Sequence, residues 1–172
     1  MKKMLLMAGA ISLAGAAVFA EAMRTHTDRK AHFTIQHPGS WKKTVNQGGT
    51  NVTLATKDNL AMVQVIRADV EAGTTTDAFL KEVEKQIGET HVNQLPEDKR
   101  HAPAEDLANM NADEGSAGYY DLDHEGQKIH QFIMVLRKAE VVYAITVTFA
   151  DLATDKYKDV AIKIADSVKI LN

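Results

Sequence analysis

From Gly118 to Phe149 the chain reads as three consecutive strands, and the last two are apolar on both faces. Gly118-Tyr119-Tyr120-Asp121-Leu122 and Ile129 to Leu136 flank a turn at Glu125-Gly126, and Val141 to Phe149 follows Lys138-Ala139-Glu140. Connections this short join antiparallel neighbours, so the segment is a meander. Strands apolar on both faces need both faces of their sheet covered. Two amphipathic patterns can provide that cover. In the first, Thr76 is the expected N-cap, Asp77 complements the helix dipole, Phe79, Leu80, Val83 and Ile87 form one stripe, and Gly88 ends the helix. The second starts at Thr154 and Asp155 and buries Tyr157, Val160, Ala161, Ile164 and Val168. One helix on each face gives an α+β fold: a predominantly antiparallel sheet in an α/β/α sandwich.

Earlier segments read as further strands. Phe33 and Ile35 lie on one face, Pro38-Gly39 turns the chain into Trp41, and Val52 and Leu54 alternate with Thr53 and Ala55. Leu60 to Ile66 reads as an interior strand. The stretch from Glu89 to Ser116 is the most polar part of the chain after the leader, with Pro96, Pro103 and four acids in Glu97, Asp98, Glu105 and Asp106. It reads as a long excursion with one weak strand near Leu107 to Asn111, open to protease near Lys99-Arg100, or else as a docking surface.

The first 22 residues have the layout of a signal peptide, leaving residues 23–172 as a single domain. Lys2 and Lys3 precede an uncharged run from Met4 to Phe19, and small-x-small sites follow at Val18-Phe19-Ala20 and Ala20-Glu21-Ala22. The run is diluted by Gly9, Ser12 and Gly15 and falls short of the roughly 20 mostly apolar residues of a spanning helix. The expectation is a periplasmic or secreted protein with no stable membrane anchoring once the leader is removed. The chain has no cysteine, which excludes disulfides, thiol catalysis and a lipidated cysteine. Its net charge of −3 becomes more negative without the two leader lysines, which argues against nucleic-acid and anionic-membrane partners.

Phe33-x-Ile35-x-x-Pro38-x-x-Trp41 resembles the opening signature of the PsbP-like superfamily, which includes DcrB-like bacterial periplasmic proteins. The glycine-led strand at Gly118, Val142-Tyr143-x-Ile145-Thr146 and the closing Asp166-Ser167-Val168-Lys169 resemble its later landmarks. The resemblance spans residues 31 to 171. It implies a PsbP-like fold and a binding or assembly role without known catalysis, and it carries over no metal or partner residue.

Candidate chemistry is sparse. A two-residue turn at Glu125-Gly126 sets Asp121 opposite His130 and Asp123 opposite Lys128. Asp121, Asp123 and His130 then share a face and form the candidate divalent-metal set, against the competing reading of cross-strand charge pairs with Lys128. Trp41 reads as a core plug. The seven histidines show no His-x-x-x-His spacing, and none of Ser40, Ser116 and Ser167 lies in a Gly-x-Ser-x-Gly elbow. No catalytic residue and no cofactor is expected. The functional expectation is an exported, non-enzymatic accessory protein of the cell envelope docking a protein partner, or alternatively a periplasmic protein binding a small ligand or divalent metal.

Overall fold

The structure, a computed structural model, describes residues 22–46, 48–88 and 92–172. The leader expected from the sequence lies outside the described residues, apart from Ala22. Five strands come first: β1 (Met23–Asp28), β2 (Phe33–Pro38), β3 (Lys42–Val45), β4 (Asn51–Ala55) and β5 (Ala61–Asp69). Helices α1 (Thr76–Ile87) and α2 (Ala104–Met110) follow, then β6 (Glu114–His124), β7 (Gln127–Lys138) and β8 (Val141–Ala150). Helix α3 (Thr154–Asp166) and a short β9 (Lys169–Ile170) close the chain.

Six strands form an antiparallel sheet in the order β3-β4-β5-β8-β7-β6, and β1-β2-β9 form a second sheet of three. The fold is therefore α+β, with helices on both faces of the large sheet. One face buries Leu54, Val63, Val65, Leu136, Ile145 and Val147 beneath α3 and the small sheet, which contributes Phe33, Ile35 and Ile170. The other buries Tyr120, Ile133, Val135 and Val142 beneath Leu80 of α1, with Phe79, Val83 and Ile87 packed around them. On this second face α1 packs on β6 and β7. Thr53, Gln64 and Thr146 occupy the same face of β4, β5 and β8, with Gln64 reaching Thr53. The cover stops where the side chains turn polar.

Trp41 is 5% exposed and meets Tyr157 of α3 edge-on at 6.3 Å, so it is the core plug the sequence indicates. The glycine leading β6 has a packing reason as well. A Cβ on Gly118 would overlap the Tyr120 ring, which lies across that position while its hydroxyl donates to Glu84 of α1.

Helix α1 begins one residue earlier than the sequence suggests. Thr75 is the N-cap, its Oγ1 accepting from the Ala78 N–H at 3.2 Å. Thr76 is instead drawn to β6, where its N–H and hydroxyl both donate to Glu114 Oε1 at 3.1 Å. Gly88 ends the helix at φ 115°, where a side chain would be strained. The β6–β7 turn has the expected register, His124 opposite Gln127 and Asp121 opposite His130. Its central residues, Glu125 at φ 53° and Gly126 at φ 78°, give the twist of a type I′ hairpin.

The polar stretch departs from its sequence reading. Leu107 to Asn111 is not a strand: α2 runs from Ala104 to Met110 and ends where Asn111 turns left-handed at φ 57°. Leu107 and Met110 are three residues apart, the spacing of a helix face, and both pack on the core. Pro103 stands at the entry, where its missing N–H costs nothing. Nor does the stretch stand off from the sheet. Gln94 N–H donates to Tyr119 O at 2.8 Å, Ala102 N–H to Gly115 O at 3.0 Å, and Ala117 N–H to Arg100 O at 2.7 Å. It runs as an irregular border along the edge strand β6, held by main-chain bonds that apolar composition does not reveal.

Candidate functional site

Strand alternation builds the candidate site on the β6–β7 hairpin. Ala117, Tyr119 and Asp121 of β6 pair with Met134, Phe132 and His130 of β7, so all six side chains share a face. It is the face that α3 covers farther across the sheet, since His130 and Phe132 pair with Phe149 and Val147 of β8. Above the hairpin, α2 stands on one side and the end of α3 on the other. Between them lies a cavity of about 390 Å³, within the range of small-ligand and side-chain pockets. Ala117, Phe132 and Met134 line it from the hairpin, Pro103, Asp106 and Met110 from α2 and its entry, and Asp166 from the end of α3. Lys99 and His101 reach its rim.

The two lining carboxylates set the electrostatics of this cleft. Asp166 keeps exposed surface, yet loss of solvent within the cleft pushes its carboxyl above the usual range, and the charge of Asp106 adds to the effect. Asp166 is also the last residue of α3, where the helix dipole disfavours a negative charge. No ion pair joins Asp106 or Asp166 to another described residue.

At the other end of the strip, His130 sits between two acids. Its Nδ1 lies 2.8 Å from Asp121 Oδ1 and its Nε2 lies 2.8 Å from Asp151 Oδ1. A ring facing carboxylates at both nitrogens is best served by protons on both. Burial works against that charge, but the hydrogen bonds and charges of Asp151 and Asp121 outweigh it and raise the pKa. The ring stacks on Tyr119 at 6.0 Å and tilts against Phe149 at 5.2 Å.

Of the three residues expected to form a metal set, Asp121 and His130 meet directly. Asp123 turns to its own hairpin, where Oδ1 accepts from the Gly126 N–H at 2.9 Å. The cross-strand pair that forms is Asp121–His130; among the described residues Lys128 makes no ion pair with Asp121 or Asp123. Asp151 takes the third place, and the sequence reading missed it. Its signal lay in the meander itself, because Phe149 pairs with His130 and Asp151 begins the turn that leaves β8 beside that histidine. No group of three or more His, Asp or Glu side chains among the described residues is arranged to hold a metal ion.

A second polar cluster clamps the start of α1 to β6. Ser116, 1% exposed, donates to Asp77 and lies 2.7 Å from the Thr76 hydroxyl, while Glu114 takes the Arg137 Nε at 2.8 Å. His101 Nδ1 is 3.8 Å from Asp77. Serine, aspartate and histidine meet here, but the serine proton goes to the carboxylate and the histidine lies beyond it. That order differs from a nucleophile held by its base.

With this geometry in place, the match to known proteins is direct over most of the chain. The PsbP family model matches residues 21–170. This chain belongs to the PsbP family. Its fold is shared by the cyanobacterial PsbP, CyanoP, of Synechocystis sp. PCC 6803, at 13% identity and a TM-score of 0.51, covering 95% of this chain and 98% of that one. A protein of Bacteroides thetaiotaomicron VPI-5482 is similar at 9% identity and a TM-score of 0.58, over 87% of this chain. The PsbP-family chain spans about half of that protein's length, 48%. No curated protein matches it. No described helix is long and apolar enough to cross a membrane.

Proposed function

We propose that this PsbP-family chain is an exported, non-enzymatic accessory protein of the cell envelope that docks a protein partner over the β6–β7 cleft. The observation that carries the reading is the cleft: an apolar hairpin face open between two helices, with two lining carboxylates that have no ion-pair partner among the described residues. Family membership supports a binding role, and the signal-like leader supports export.

The test is crosslinking in the native envelope with a photoreactive residue at position 132, compared with one at Thr53 on the uncovered sheet face. A single discrete adduct at 132, absent at 53, is the expected result. Equal labelling at both positions, or none at 132, would reject docking at this face. A small ligand in the same cavity is the second reading, favoured by its volume of about 390 Å³. It predicts a bound molecule in native mass spectra of protein taken from the envelope and no adduct.

A further inference from the structure

We propose that the cleft receives a basic side chain, a lysine or arginine on an extended segment of the partner, with its charged end between Asp106 and Asp166 and its aliphatic stem on Phe132 and Met134. This rests on the docking reading and gives its partner a chemistry.

Three features of the cleft agree on the occupant. The acids come from different elements, Asp106 from α2 and Asp166 from the end of α3, and face one cavity. Lys99 at the rim offsets only one of the two charges, and the carbonyl end of α3 adds negative potential of its own. Both acids are exposed, and the charge of Asp106 disfavours ionisation of Asp166; a cation beside the two carboxylates reverses that effect. The hairpin face is apolar, which suits a cation carried on a methylene stem better than a bare ion. An arginine could also give each carboxylate its own N–H donors.

The strip argues for a segment of chain rather than a free small cation. The hairpin face continues along β7 from Met134 through Phe132 to His130, with Tyr119 beside it. At about 3.4 Å per residue those four steps span roughly 14 Å. A single amine fills one end of this length, whereas an extended peptide fills all of it. Asp121 and Asp151 at the far end are already engaged by His130, so the unmatched acids are those of the cleft.

The probes are blocked five-residue peptides with a central arginine, with citrulline in its place, or with glutamate, plus n-butylguanidinium alone. Binding is read from side-chain NMR shifts of Met110 and Met134 and from the carboxyl resonances of Asp106 and Asp166. The arginine peptide should bind saturably, at least tenfold tighter than the citrulline peptide and than n-butylguanidinium. Asp106→Asn/Asp166→Asn should lose that tenfold preference. This variant removes like charges from a surface cleft, so it should melt no lower than wild type.

Equal binding of arginine and citrulline peptides, or no binding of either, overturns the proposal. Binding of n-butylguanidinium as tight as the peptide overturns the peptide source and leaves a small organic cation. The crosslink at position 132 separates the two readings. An adduct that persists in Asp106→Asn/Asp166→Asn sinks the basic side chain but not docking, while no adduct in wild type sinks docking itself.

Discussion

His130, near the start of β7, is bonded to Asp151, which opens the turn into α3, with 2.8 Å between Nε2 and Oδ1. With Asp121 on the other nitrogen, the imidazole ties the hairpin to the turn leading into α3, the helix that covers the same face of the sheet.

This tie makes stability depend on pH in a defined direction. The folded pKa of His130 is raised above 6.5, the carboxylates of Asp151 and Asp121 outweighing burial. The contribution is therefore fully present below 6.5 and is lost as pH rises through the raised folded value. His26 works the other way, its pKa lowered by burial and then by Lys43, so the comparison must be between variants. Urea midpoints of wild type and Asp151→Asn should differ most near pH 5.5 and converge near pH 9. A gap that stays constant across that range would show that His130 is not charged in the fold.

Trp41→Ala should cost about 3–5 kcal/mol, because it opens a cavity between the sheet and Tyr157. Chemical denaturation measures it. A variant that melts like wild type would remove Trp41 from the core.

Metal dependence is testable at the same hairpin. Both ring nitrogens of His130 are engaged and Asp123 is turned to Gly126, so EDTA should leave the melting temperature unchanged. A rise of several degrees on adding zinc, abolished by Asp121→Asn, would instead establish a metal at Asp121, Asp123 and His130.

Trypsin should cut slowly at Lys99-Arg100. The Arg100 carbonyl accepts from Ala117 at 2.7 Å and its guanidinium Nε donates to Leu95 O at 3.0 Å, so cleavage there requires the border of β6 to open. Replacing residues 96–103 by a Gly/Ser linker should lower the thermal midpoint. Rapid nicking of folded protein at this point would restore the mobile-excursion reading.

How much the sequence shows varies with the kind of interaction. The order and register of the meander were legible, because a two-residue turn fixes register and side-chain alternation fixes the faces of Tyr120, Ile133 and Val135, although β6 begins at Glu114, four residues before the strand read from Gly118. α2 was not, because seven residues with two apolar positions resemble a broken strand as easily as a helix. β1 and β9 were also passed over: Met23 to Asp28 is mostly polar and Lys169-Ile170 is too short to show a period, and both are strands because β2 lies beside them. Half of the candidate site was readable, as Asp121 opposite His130. Asp151 was missed although the β7–β8 register places it just past the Phe149–His130 pair. Asp106 and Asp166 were not readable, since tertiary packing of α2 and α3 brings them to the hairpin and no local pattern marks the meeting.

The pairing of β2 with β9 governs the order in which the molecule can be completed. Phe33 pairs with Ile170, the Leu171 N–H donates to His32 O at 2.8 Å, and Asn111 caps the Ile170 carbonyl at 2.9 Å. A chain emerging from its amino end holds β2 long before the β9 segment that pairs with it is made. Loops that long close slowly. Refolding should therefore show the six-stranded sheet gaining exchange protection first. Phe33 and Ile35 should be buried in a later, slower phase, during which the core face beneath the small sheet is open to solvent and to whatever meets the chain before β9 docks.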